Sequence, residues 1–357
     1  MPDSSERFSG VHPFKDDKNL VCFFDGENIA PRMDDVRESI HYVRDNWNDR
    51  DWFCSMLDKL YKEYTLPINE KILLQKNWID EQNVPEMNHI NFDLIKYYTD
   101  KDGYQFLKQM NDAFREINLN KEKCNLATFL VELFNIELYN FRSVIKSADN
   151  FEGTVYRGFS PKYSDAVKIF ENILEKPINE RQIAIPLEFM SASLDKNVAI
   201  NYASRNRTQI DQSPVLFEIN VRNLDSKLLK TYHKFYKDSP VTSLCAVPIE
   251  MISSNPDDKE VLLRGAFFQV LDVRLEGGFV VVKTLMLNSN RDHIKTHKYK
   301  NTNAQKLFGS LVKQDKMRIC KEISTNEKDR RTYAEAETLA KEETKKMIEI
   351  SKKEEEK

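Results

Sequence analysis

Thr154-Val155-Tyr156-Arg157-Gly158, Phe189-Met190-Ser191-Ala192-Ser193 and Asp258-Lys259-Glu260-Val261-Leu262 follow one another along the chain. Each block sets a polar or charged side chain at the end of an apolar, strand-like run. Together they bring an arginine, a serine and a carboxylate. An arginine offers a planar fork of donors that matches two phosphate oxygens. Gly158 has no Cβ, so another group can come close to the backbone there. Ser191 and Ser193 are two apart and share one side of a strand, with Ala192 on the other. Asp258 and Glu260 are also two apart, so on an extended segment their carboxylates share one side. A fixed carboxylate is suited to stabilising a positive charge that develops on a sugar ring.

The text around these blocks sets the fold class. Residues 33–82, 91–118 and 124–147 carry apolar positions at three- and four-residue spacing and predict helices. After them the pattern changes. Val155-Tyr156, Leu187-Glu188-Phe189, 215–219, 267–273 and 279–282 have strand composition. Ala166–Leu174 and Val198–Ala203 read as helices between strands. Helices first and then a run of strands means α+β. From about 321 the chain is dense in Lys and Glu, with a thin apolar stripe of Leu339, Met347 and Ile350. This predicts a solvated helix or a disordered tail. Residues 1–17 are polar and are expected to be disordered.

Bulk properties exclude several function classes. The chain has 357 residues, 40% of them hydrophobic, enough for a sizeable core, and a formal net charge of -3. Such a balance does not call for nucleic acid or an anionic membrane. No apolar run reaches the roughly 20 residues of a membrane helix. The start, Met1-Pro2-Asp3-Ser4-Ser5-Glu6-Arg7, has no apolar core, so no secretory signal is expected. Cys22, Cys54, Cys124, Cys245 and Cys320 are scattered and odd in number, as expected for free thiols in a reducing, cytoplasmic setting. The nine glycines form neither a dinucleotide fingerprint nor a phosphate loop. His293 and His297 have the spacing of a metal pair on a helix, but Ile294 follows the first and no third ligand is evident. No metal site is expected.

The three blocks in this order resemble the arginine–serine–glutamate class of mono-ADP-ribosyltransferases. The likeness extends to Gly153 before the first block and to Leu194-Asp195-Lys196-Asn197-Val198-Ala199 after the second. It also takes in Ile252–Pro256 and Leu263–Val270 around the third, and Ile95–Thr99 upstream. It spans roughly residues 90–290. The resemblance implies a split β-sandwich of two small perpendicular sheets preceded by helices, and transfer of ADP-ribose from NAD to a protein side chain. NAD would be consumed, without a metal. Arg157 would anchor phosphate, with Gly158 gripping the nicotinamide amide by its backbone. Ser191 and Ser193 would hold the ribose, Glu260 would stabilise the cation, and Asp258 would prepare the acceptor. Tyr202 is either a ring stacked on nicotinamide or a core residue of a short helix. Asp258 stands where arginine-modifying members carry Glu, so whether the acceptor here is arginine or another side chain stays open. The organisation this implies is 18–89 helical accessory segment, 90–290 catalytic domain, 291–320 extension and 321–357 tail, through which a partner could bind.

Two other functions fit the same residues. One is an NAD glycohydrolase with water as acceptor. The other is an inactive NAD-binding interaction protein. A separate motif, Asp25-Gly26-Glu27-Asn28-Ile29 after an apolar strand, resembles the opening of metal-dependent nucleases of the NYN type. Residues 30–90 read as helices and offer no further acidic strand ends, so a strand and tight turn is the plainer reading.

Overall fold

The computed structural model describes residues 36, 38–64, 66, 72, 76, 91–100, 103, 109–110, 113–114, 120–145, 150–159, 166–184, 189–205, 214–239, 241–264, 267–291 and 302–355. The expected disordered start, the strand and turn at 20–29, and His293 and His297 lie outside them.

Among the described residues the N-terminal part is mainly helical. Residues 38–46 are helical, followed by α1 (Arg50–Tyr64), α2 (Asp93–Thr99) and α3 (Lys121–Val144). Helix α1 is capped by Asp49, whose Oδ1 accepts from the backbone of Asp51 and Trp52. Asn120 does the same for α3 through Glu122 N and Lys123 N. Helix α3 is buried on nearly every side and forms the axis of this core, with Trp47, Phe53, Leu60, Tyr98 and Phe114 packed around it. Trp47, Trp52 and Phe53 meet Phe129 edge-to-face.

The strands follow. In chain order they are β1 (Gly153–Phe159), β2 (Gln182–Ala184), β3 (Phe189–Ser193), β4 (Val215–Arg222), β5 (Val241–Thr242), β6 (Ala246–Pro248), β7 (Glu260–Arg264), β8 (Phe267–Glu276), β9 (Phe279–Leu287) and β10 (Asn290–Arg291). Between them lie α4 (Ala166–Glu175), α5 (Lys196–Arg205) and α6 (Ser226–Phe235). Hydrogen bonding joins eight strands in the order β2-β8-β9-β4-β1-β3-β7-β6, with β10 and β5 as a separate pair. The pairs are antiparallel except β4 with β9, which is parallel. The two small sheets expected from the sequence are thus linked. The link is narrow: β1 meets β3 at one residue pair, Tyr156 opposite Ser193, whereas β1 and β4 pair from Gly153 to Phe159.

Alternation along β3 and β7 divides their side chains between two cores. Phe189 and Leu262 join the helical core of α1–α3, with Leu244, Val247, Ile249 and Ile252. Ala192, Val261 and Leu263 face a second core shared with Val155, Phe217, Ile219, Val270, Val280 and Val282. The N-terminal helices therefore share a core with the strands beside them.

The C-terminal segment departs from its sequence reading. It forms α7 (Thr302–Ile323) and α8 (Glu327–Glu355), an antiparallel helical hairpin laid on the sheet and α6. The apolar stripe read from the sequence is misplaced, since Leu339 is 66% exposed. The buried side carries Tyr333, Glu337, Ala340, Thr344 and Ser351, with Met347 half-buried. These positions repeat at four and three residues, the spacing of a packed helix seam. Glu337 is tolerated there because Lys321 and Lys341 both pair with it at 2.5 Å. Burial pushes its carboxyl up, but the two lysines outweigh that and leave it below its ordinary value. Tyr333 packs against Ile178, Leu271, Leu285 and Met317. Arg181 pairs with Asp329 at 3.2 Å, and Tyr236 Oη lies 2.9 Å from Ser351 Oγ. The segment is therefore docked rather than solvated.

Cys54, Cys124, Cys245 and Cys320 are free thiols. Among the described residues no helix is long and apolar enough to cross a membrane.

Candidate active site

The register of three strands decides what the polar residues can do together. Ser193 stands directly opposite Glu260, and Ser191 opposite Leu262. Opposed residues on one face of an antiparallel pair have Cβ atoms about 4.5–5.5 Å apart. Ser191, Ser193 and Glu260 thus lie on one face, that of the helical core. Arg157 comes from β1, across the narrow link. Its Nη1 donates to the Ser191 carbonyl at 2.6 Å. Arg157, Ser191 and Glu260 are all buried, with Glu260 at 0% exposure. Arg157 therefore meets the backbone of the strand pair that carries Ser191 and Glu260 where the sheet is only loosely joined.

Three of the sequence readings change in detail. The Ser193 hydroxyl donates to Asp258 O at 2.7 Å and accepts from Asp195 N at 2.9 Å. It fixes the segment that delivers Glu260. Leu194 N adds a bond to Lys259 O at 3.1 Å.

Gly158 uses its missing Cβ for helix packing. A Cβ there would lie 1.8 Å from Ala199 O and 2.9 Å from the Ala203 Cβ. The group brought close to the backbone is α5.

Asp258 does not share a face with Glu260 by alternation. It ends a one-turn 3-10 helix, Pro256–Asp258, and Lys259 adopts left-handed angles (φ 44°) before the strand begins at Glu260. The two-residue rule holds only for extended backbone. Tyr202 lies with Ala199 and Ala203 on the buried side of α5.

Sequence reading missed the role of α2. Tyr98 Oη is 2.6 Å from Ser191 Oγ. Its ring is held edge-to-face by Phe134 at 5.8 Å and Phe189 at 6.1 Å. The end of α2 grips the loop before the 3-10 turn. Ser254 N donates to Thr99 Oγ1 at 2.8 Å, Ser254 Oγ to Lys96 O at 2.9 Å, and Asn255 Nδ2 to Thr99 O at 2.6 Å. One cue was present in the sequence: polar Tyr97, Tyr98 and Thr99 close a short apolar run. Nothing in it names their partners, some 90 to 160 residues on.

No group of His, Cys, Asp and Glu suited to a metal occurs among the described residues.

No protein-family model matches the chain, and no curated protein does. Solved structures similar to it include the ADP-ribosyltransferase Vis of Vibrio splendidus, in complex with agmatine. That similarity is 16% identity over 61% of this chain and 86% of Vis, with a TM-score of 0.36. Another is Plx2a, an ADP-ribosyltransferase toxin of Paenibacillus larvae: 15% identity over 62% of this chain and 98% of Plx2a, TM-score 0.33. A third is the C3 exoenzyme of Clostridium limosum, at 13% identity over 62% of this chain and 97% of the exoenzyme, TM-score 0.35.

Proposed function

We propose that this protein is a mono-ADP-ribosyltransferase that moves ADP-ribose from NAD to a protein side chain and releases nicotinamide. The observation that supports the reading is the contact of Arg157 with the Ser191 backbone, beside the β3–β7 pair that carries Ser191 and Glu260. The bond between nicotinamide nitrogen and ribose carbon breaks, and its electron pair leaves with nicotinamide. Glu260 stabilises the cationic ribose that results. Arg157 holds phosphate through its planar guanidinium. Ser191 positions the ribose, Gly158 presents its backbone to the nicotinamide amide, and Tyr202 lies on the helix next to it. We infer the split β-sandwich as the architecture, supported by the single-residue link between β1 and β3. The catalytic region runs over roughly 90–290, and the acceptor is a protein.

A second reading, NAD hydrolysis with water as acceptor, is favoured by one observation. The left-handed Lys259 removes the alignment of Asp258 with Glu260 that an extended segment would have. Purified protein, labelled NAD and a cell lysate separate the readings. Label on protein supports transfer, and free ADP-ribose alone supports hydrolysis. Neither product leaves a binding protein. Asp258→Ala should lower protein labelling far more than ADP-ribose release if Asp258 orients the acceptor.

A further inference from the structure

Helix α2 is seven residues long and starts without a cap of its own, because its N-cap residue, Phe92, carries no acceptor. Isolated helices of this length are not stable in water. Its first-turn amide donors are nevertheless met. Asn91 Oδ1 accepts from Asp93 N at 3.0 Å. Glu137, midway along α3, accepts from Leu94 N at 3.0 Å through Oε1 and from Ile95 N at 2.9 Å through Oε2. Glu137 is buried, on a helix that also buries Glu132, Asn135 and Asn140. The other end of α2 holds Ser191 through Tyr98 and the loop at 254–255 through Thr99 and Lys96. One short helix therefore joins a buried carboxyl to both parts of the candidate site.

We propose that Glu137 is a positioning residue, which acts through α2 to set Tyr98 on the Ser191 hydroxyl and to fix the loop that leads into Glu260. This rests on the NAD reading for its effect on turnover, but not for its structural part. Two consequences follow. The Tyr98 hydroxyl can donate to Ser191 Oγ, which turns the serine proton outward for a ribose oxygen. And loss of the Glu137 acceptors releases two buried amides at once, which costs more than loss of an exposed cap. Burial pushes the Glu137 carboxyl up to about 8, while the Ile95 and Leu94 amides pull it down. Among the described residues the charged groups facing it are Asp93, which raises it, and Lys96, which lowers it. In the folded chain it stays protonated well above the pH at which an unfolded glutamate ionises, about 4.3. Its contribution is complete at low pH and is lost as pH rises toward and through about 8.

The test uses full-length Glu137→Ala and Glu137→Gln, read by hydrogen exchange, NAD cleavage and melting against pH. In Glu137→Ala, exchange should speed by on the order of tenfold over 93–99 and also over 253–258, with 215–222 unchanged. Turnover should fall on the order of 10- to 100-fold with little change in KM for NAD, since a small misplacement suffices. Glu137→Gln keeps the volume and one acceptor and should recover most of both. Its melting temperature should vary less with pH than that of the wild type between about pH 5 and 8, because it has no proton to lose. Faster exchange confined to 93–95, or wild-type turnover in Glu137→Ala, overturns the proposal. If Glu137→Ala does not fold, identical pH–melting curves for Glu137→Gln and wild type overturn it instead. If the wild type cleaves no NAD, the NAD reading fails and the exchange result still decides the role of Glu137.

Discussion

Replacing Gly158 by alanine is the sharpest test of how the site is built. The added Cβ would sit 1.8 Å from the carbonyl oxygen of Ala199 and 2.9 Å from the Ala203 Cβ. Non-bonded heavy atoms settle at about 3.5 Å. Helix α5 or strand β1 must therefore yield by roughly 1.7 Å. The obstacle is helix backbone, not the end of a flexible side chain, and β1 is held along its length by β4. Overpacking a well-filled site costs about 1–3 kcal/mol and occasionally more. With backbone on both sides we expect the upper end, about 3 kcal/mol, a factor on the order of 10² in the folding equilibrium. In a chain of this size that lowers the melting temperature by on the order of 5–10 °C. The assay is denaturant unfolding followed by circular dichroism, alongside calorimetric titration with NAD. If Gly158 served only a ligand, Gly158→Ala would melt like the wild type and lose NAD binding. That outcome would refute the packing argument.

Glu260→Gln should lower NAD cleavage by on the order of 10²–10³ with the fold intact, because the amide keeps the shape and removes the charge. Near-wild-type turnover in a product assay would remove Glu260 from its role. Arg157→Lys should weaken NAD binding by about tenfold or more, since an ammonium cannot reproduce a two-pronged phosphate contact; unchanged affinity by calorimetry places Arg157 outside the pocket. A chain ending after Ile323 should be insoluble or strongly destabilised, because it uncovers the bed of α8 on α7 and α6. Tyr333→Ala should by itself cost about 3–5 kcal/mol in denaturant unfolding. A soluble truncation with wild-type stability would contradict the docking.

Local order was legible in the sequence wherever one segment carries its own pattern. The alternation of Phe189–Ser193 and Val215–Ile219 names strands, and the 3.6-residue period of 124–147 names a helix, because each buries one set of side chains set by its own geometry. Arg157, Ser191 and Glu260 are offered for the site as ends of strand-like runs; in the structure Arg157 lies within β1, Ser191 in the middle of β3 and Glu260 at the start of β7. What required the tertiary structure is everything that depends on a distant partner. The Ser193 hydroxyl is committed to Asp258 and Asp195. The bare Cα of Gly158 is covered by α5. Asp258 is turned off the strand by Lys259. The buried side of α8 runs through Tyr333, Glu337 and Thr344 and not through Leu339, because Lys321 and Lys341 neutralise a carboxylate that the sequence assigns to solvent. Glu137 reads in sequence as one of several polar residues along a largely apolar helix. Only the packing of α3 against α2 gives it two amides to hold, because a polar group can be buried only where another element brings its partner.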